Sequence, residues 1–170
     1  EAEIKPENHH QGRVIHTLGW PLDSMTYGGS WLYHMEGNLV SIGYVVGLDY
    51  QNPYLSPFEE MQRHKLHTAI AKILEGGKRI SYGARALVEG GLASLPKLTF
   101  AGGLLIGDSA GFLNVAKIKG NHAAMKSGML AAEAIAEQLE EVECTSYATK
   151  FKDSWLHCEL YKVRNIRQGF

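Results

Sequence analysis

The stretch TYGGSWLYHMEGNLVSIGYVVG, residues 26–47, decides how the fold is read. Residues 27–35 and 38–47 are rich in aromatic and β-branched side chains, the composition of strands. Glu36-Gly37 between them suits a tight hairpin. In the first of the two strands Trp31, Tyr33 and Met35 fall on one face and Leu32 and His34 on the other. Both faces carry bulk, so both are expected to be covered. Working outward, GRVIHTL (12–18) reads as a short strand and Gly19-Trp20-Pro21-Leu22-Asp23 as a turn. Residues 1–11 are polar, carry His9-His10 and read as an exposed lead-in.

Downstream, Asp49 to Tyr54 is a loop. Ser56 reads as a helix N-cap, Pro57 as the first helical position and Glu59 as the capping-box partner. That helix is predicted to run to about Leu74, with a break near His67-Thr68, and to end at Gly76-Gly77. Residues 78–86 and 97–106 are strand candidates joined through a Gly90-Gly91 turn. KLTFAGGLLIGDSAGF (97–112) reads as a buried strand entering a glycine turn. An alanine-rich helix follows from about Gly120 to Leu139, then an acidic link (Glu140, Glu141, Glu143) and a C-terminal helix from about Tyr147. The fold class is α+β: a mixed or antiparallel sheet with flanking helices.

The chain has 170 residues, the length of one domain or one and a half. Its 17 Lys and Arg against 18 Asp and Glu leave no global basic field to hold nucleic acid. No apolar run is long enough to span a bilayer as a helix. The opening Glu1-Ala2-Glu3 lacks an initiator Met and a signal segment, so a processed product or a fragment is expected. Two cysteines, Cys144 and Cys158, make neither a disulfide framework nor a metal knuckle, and free thiols are the default.

Three constellations bear on chemistry. An apolar strand through Leu104, Leu105 and Ile106 would deliver Asp108 at its carboxyl end, where open α/β sheets bind ligands. A carboxylate there can accept from sugar or ribityl hydroxyls. The helix starting near Gly120 offers free N–H groups to an electron-rich partner such as a flavin pyrimidine edge. A plain strand–turn–helix with a capping Asp explains the same residues. Tyr27-Gly28-Gly29 leaves backbone bare for a planar ligand, although a β-bulge, the favoured reading on the residues alone, accounts for paired glycines too. In the C-terminal segment 150–170, Trp155, Leu156, Leu160, Val163, Ile166 and Phe170 share one helical arc beside five basic residues. That suits a helix lying in a membrane interface, or one packing against the domain. Glu60, His64 and His67 sit at helical spacing; a solvated helix face is the better account than zinc. His16, His34 and His122 read as core or ligand-adjacent.

Several blocks together resemble the electron-transfer flavoprotein–ubiquinone oxidoreductase family. They are HTLGWPL, TYGGSWLYH, VVGLDYQNPYLSPFEE, EGGKRISYGARAL, GGLLIGDSAGFLNVAKIKGNHAAMKSGMLAAEAI and LYKVRNIR, in this order from about residue 12 to 167. The resemblance implies a membrane-surface flavoenzyme that takes electrons from reduced electron-transfer flavoprotein through FAD and a [4Fe–4S] cluster to ubiquinone. It implies that Gly28 and Gly29 hydrogen-bond the quinone head. It implies that Gly107, Asp108 and Gly111 belong to the second FAD-binding segment, with Asp108 at the ribityl chain. Gly120, Asn121 and His122 would approach the flavin ring edge, and Trp155, Leu156, Leu160, Val163 and Ile166 would contact one membrane leaflet.

On this resemblance residues 1–96 are mainly the ubiquinone-binding domain, 97–142 the last strand and helix of a two-dinucleotide-binding flavoprotein FAD domain, and 143–170 a membrane-associated helical segment. The expected location is the cytoplasmic face of a bacterial inner membrane or the matrix face of the mitochondrial one. The G-x-G-x-x-G segment that seats the FAD diphosphate is absent, as are the four cluster cysteines. Ala110 and Ala116 stand where members of the family often have Pro, which alters turn stiffness rather than chemistry. A middle fragment of the enzyme, inactive by itself, is the expectation. The alternatives are a related geranylgeranyl-reductase-like or FixC-like flavoprotein, favoured against by the TYGG and LDYQNPYLSPF blocks, and a non-catalytic quinone- or membrane-binding module.

Overall fold

The computed structural model describes residues 1–169; Phe170, expected on the C-terminal apolar arc, lies outside them. The chain divides at Ala84/Arg85 into two units.

The first unit is built on an antiparallel sheet. Strands β1 (Ala2–Glu3), β2 (Val14–Thr17), β3 (Gly28–His34), β4 (Leu39–Val46) and, after two helices, β5 (Lys78–Arg79) lie in the order β2-β3-β4-β1-β5. The predicted hairpin is its centre, with the register running unbroken from Gly28↔Val46 to His34↔Val40. The turn falls one residue later than read: Leu39 N–H donates to the Glu36 carbonyl, and the central pair with positive φ is Gly37 and Asn38. Asparagine tolerates the left-handed region, which makes this pair a hairpin turn of the primed type.

Helix α1 (Pro57–Lys65) starts as read, with the Glu59 N–H donating to the Ser56 hydroxyl at 3.4 Å. It stops at Leu66, and α2 (Thr68–Leu74) restarts on His67, whose ring accepts from the Ala69 N–H. The core joins Ile4, Leu32, Val40 and Ile70, with Ile15, Ile42, Ile73 and Leu74 packed around them.

Two expectations about where strands run fail in this unit. Residues 1–11 are not an exposed lead-in. Ala2 and Glu3 pair with both β4 and β5, and Ile4 is only 4% exposed. Ile4, the one large aliphatic side chain of this stretch, carries that burial, and a two-residue strand leaves no period to detect. Residues 78–86 are not one long strand. Pairing covers Lys78 and Arg79, the Glu1 carbonyl takes the N–H groups of Ile80 and Ser81, and residues 81–88 are exposed.

The second unit is mainly helical. The expected buried strand over 97–106 is a small hairpin of β6 (Thr99–Phe100) and β7 (Gly103–Leu104). Gly102, with φ of 78°, turns the chain back, so no continuous strand reaches Asp108. There follow the single turn α3 (Gly107–Ala110), the long α4 (Asn121–Glu137), α5 (Ser146–Asp153) and α6 (Trp155–Lys162). The C-terminal helix is thus two helices, divided at Ser154. This residue closes α5 and caps α6 by accepting from the His157 N–H. The core gathers Phe112, Ala123, Leu130, Ala131, Ala134, Tyr147, Phe151, Leu156 and Leu160. Among the described residues there are six α-helices and two antiparallel sheets, and no helix is long and apolar enough to cross a membrane.

Candidate functional site

In the first unit the site is a strand edge. Strand β2 ends its pairing at Thr17↔Ser30, so Gly28 and Gly29 extend past it with no partner strand on that side. No bulge is present, because the β3–β4 register is continuous. The glycines have a steric reason. A Cβ at Gly28 would strike the Val45 carbonyl oxygen and the Leu22 side chain; one at Gly29 would strike the Thr17 carbonyl oxygen. Backbone approaches so closely here that no side chain fits.

The loop after β2 borders this edge with apolar side chains. Leu18 is 73% exposed, and Trp20 and Met25 are exposed as well, whereas Leu22 turns in. The loop is pinned on the helix-covered face of the sheet. The Tyr44 hydroxyl donates to the Gly19 carbonyl at 3.1 Å. The Trp20 ring lies 5.6 Å from that of His67 and 5.9 Å from the Arg63 guanidinium. Large exposed apolar residues beside an open backbone edge suit a partly apolar planar ligand. The composition of HTLGWPLDSM gave little sign of this, since exposure of Leu18 and Met25 follows from the course of the loop.

The face of α1 with Glu60 and His64 is not solvated, contrary to expectation. Both residues are buried against the sheet, and the His64 ring lies 5.0 Å from that of Tyr44. Burial, and then the neighbouring His67, push the His64 imidazole below its usual value. Glu60 is held by Arg63 at 2.9 Å. His34 is buried too, while His16 is exposed against Tyr33. Among the described residues no group of three or more His, Cys, Asp or Glu is placed to hold a metal ion.

In the second unit the structure brings together the residues read from the GDSAG block and the alanine-rich helix. Gly107 and Gly111, both with positive φ, bracket the α3 turn, and Asp108 is exposed on it. An oxygen of the Asp108 carboxylate lies 3.9 Å from the place of a Cβ on Gly120, at the start of α4. Asn121 is exposed on the first helical position. Ser127 fixes the arrangement from within α4: its hydroxyl accepts the Gly107 N–H at 2.8 Å and donates to the Ala124 carbonyl. The Tyr147 hydroxyl donates to the Leu105 carbonyl, and burial pushes this phenol up to about 12.

His122 points to α6. Its Nε2 meets Glu159 at 2.7 Å, and its ring stacks on Trp155. Glu159 also accepts from Asn114 Nδ2 and Lys117 Nζ. These three donors, His122 first, hold the Glu159 carboxyl down to about 2. Ser127 and Glu159 carry no sign of a site in the sequence, because one looks like any helical serine and the other like any acidic residue beside an apolar arc. That arc does not stay on one side. Leu156 and Leu160 are core residues, 0% and 1% exposed. Trp155 is exposed, and Val163 and Ile166 are half-buried.

Comparison with known proteins bears on both units. The family model described as "ETF-QO, ubiquinone-binding" matches residues 2–87. The mitochondrial electron transfer flavoprotein–ubiquinone oxidoreductase of Homo sapiens is 62% identical over 175 residues, covering 96% of this chain and 28% of the human protein. The Bos taurus protein of the same name is 64% identical over 167 residues, 92% of this chain and 27% of its own length. The Pseudomonas aeruginosa electron transfer flavoprotein–ubiquinone oxidoreductase is 55% identical over 169 residues, 96% of this chain and 31% of its own. The chain spans less than a third of the length of these relatives. A match to the ubiquinone-binding model over half the chain, with the open Gly28–Gly29 edge inside it, means that the chain belongs to the electron-transfer flavoprotein–ubiquinone oxidoreductase family.

Proposed function

We propose that the chain is the ubiquinone-binding part, with an adjoining flavin-facing segment, of an oxidoreductase. The enzyme passes electrons from reduced electron-transfer flavoprotein to ubiquinone at a membrane surface. The observation that carries this reading is the bare edge at Gly28 and Gly29, bordered by exposed Leu18 and lying within the ubiquinone-binding match. The Gly28 N–H and C=O, which point away from β4, can meet the quinone head, and the apolar loop can take its tail. Leu18, Trp20 and Met25 in the first unit and Trp155, Val163 and Ile166 in the second are the membrane-contacting candidates. The mitochondrial names of several relatives support a location on the mitochondrial inner membrane, with the matrix face as the proposed side; for a bacterial source the cytoplasmic face of the inner membrane corresponds.

The residues present fit the ring side of FAD. Gly107, Asp108, Gly111, Gly120, Asn121 and His122 gather at the start of α4, and Asp108 and Asn121 are exposed. Flavin supplies, when bound, the step between a two-electron donor and one-electron carriers. Asp108 would hold ribityl hydroxyls, Asn121 would orient the ring edge, and Glu159 holds His122 against Trp155. The chain does not fit a [4Fe–4S] cluster. Its two cysteines fall short of four ligands, and no metal-binding group forms among the described residues.

The test is a binding titration of this chain with a one-isoprene ubiquinone analogue, wild type against Leu18→Asp. Leu18 is exposed, so the variant keeps its melting temperature and loses about tenfold or more in affinity. Equal affinity for both proteins would remove the glycine edge as the docking place.

A further inference from the structure

His9 and His34 each bury one unpaired ring nitrogen in the first unit, and His64 buries two. His64 is 2% exposed, and neither ring nitrogen has a hydrogen-bond partner. A neutral imidazole carries one N–H and one lone pair, so a donor and an acceptor are both buried unpaired. Native folds pair the great majority of buried polar atoms, and an orphan marks a water, a ligand or a reactive group. An apolar side chain of similar size would pack against Tyr44 without the loss.

The surroundings connect this orphan to the glycine edge. Gly28 pairs with Val46 and Ser30 with Tyr44, so by strand alternation Gly28 and Tyr44 share the face that α1 covers. One loop roofs both. Its Leu22 side chain abuts Gly28, its Gly19 carbonyl holds the Tyr44 hydroxyl, and the Tyr44 ring lies on His64. Its Trp20 reaches the end of α1 at Arg63 and His67. The other charged or titratable groups close to the ring are Glu60, paired with Arg63, and His67. A flat ligand that displaces Leu22 from beneath the loop therefore meets the Gly28 backbone at one end and an unpaired imidazole at the other.

We propose that His64 is the side-chain hydrogen-bond partner of a quinone carbonyl oxygen bound beneath the 19–22 loop, a role that rests on the quinone-binding reading above. A quinone suits the two ends. It is flat, uncharged and apolar but for two opposed acceptors. One takes an N–H from the glycine edge and the other the imidazole N–H. After reduction by two electrons and two protons the same oxygen carries a hydroxyl, whose lone pairs still accept the imidazole N–H.

The experiment titrates the chain with the one-isoprene ubiquinone analogue, comparing wild type, His64→Leu and His64→Gln, with a thermal melt of each. His64→Leu is expected to weaken binding about tenfold while raising the melting temperature by a few degrees. His64→Gln, which keeps an N–H, recovers part of the affinity. The ring ¹⁵N signals of His64 in the wild type are expected to shift on adding the analogue. Unchanged affinity in His64→Leu, or ring signals that stay still while the wild type binds, would overturn the assignment with the quinone reading intact. A lower melting temperature together with weaker binding in both variants would make the ring a packing element and overturn it too. Failure of the wild type itself to bind would remove the quinone reading, and the role of His64 with it.

Discussion

Ser127 illustrates how much one hydroxyl can organise. It is fully buried, and it alone satisfies the Gly107 N–H at the turn that presents Asp108. Ser127→Ala leaves that donor unpaired and is expected to cost about 1–3 kcal/mol, read by denaturant unfolding, with the Gly107 amide exchanging faster. Two acid-side losses of stability should also separate by residue. The His34 and His64 imidazoles are held down, chiefly by burial. Their contribution is complete above the unfolded value near 6.5 and declines as pH falls below it. Glu159 is held at about 2 against an ordinary 4.5, so its contribution is complete above 4.5 and disappears as pH falls through about 2. In a stability–pH profile His64→Leu should flatten the upper decline and Glu159→Gln the lower one. Identical profiles for all three proteins would refute both attributions.

At the scale of elements, local chemistry and tertiary demand part company. Ser56-Pro57 announces α1 because capping is settled within four residues, and Ser56→Ala should cost about 1 kcal/mol in a melt or denaturant titration. The β3–β4 hairpin was equally legible, since its two aromatic and β-branched runs flank a turn that needs only Gly37 and Asn38. Strand β1 was not. Ala2 and Glu3 become a strand only because β4 and β5 stand on either side. The division of the C-terminal helix at Ser154 was hidden in the same way, as a serine inside a helix and one that caps a helix look alike until the backbone bends. The candidate residues around α4 were legible as a block. The sequence carried no sign of Glu159, because its partners Asn114, Lys117 and His122 lie 37 to 45 positions away.

At the scale of the whole molecule, each unit has its own core, and residues 81–88, which carry no regular structure, are exposed. Brief trypsin treatment should therefore cut early at Arg85, giving products of about half the chain by mass spectrometry; first cuts inside α4 would contradict this division. The position of β1 has a consequence for how the chain is made. Residue 2 pairs with residue 40 on one side and with residue 79 on the other. During synthesis β1 can join β4 once residue 40 has formed, but its other edge stays open until β5, at residues 78–79, arrives to close beside it. Such distant pairing is the slow kind. Translation speed across the helical stretch before β5, a property of codons rather than of amino acids, then governs how long that edge of β1 stays open to capture by a chaperone.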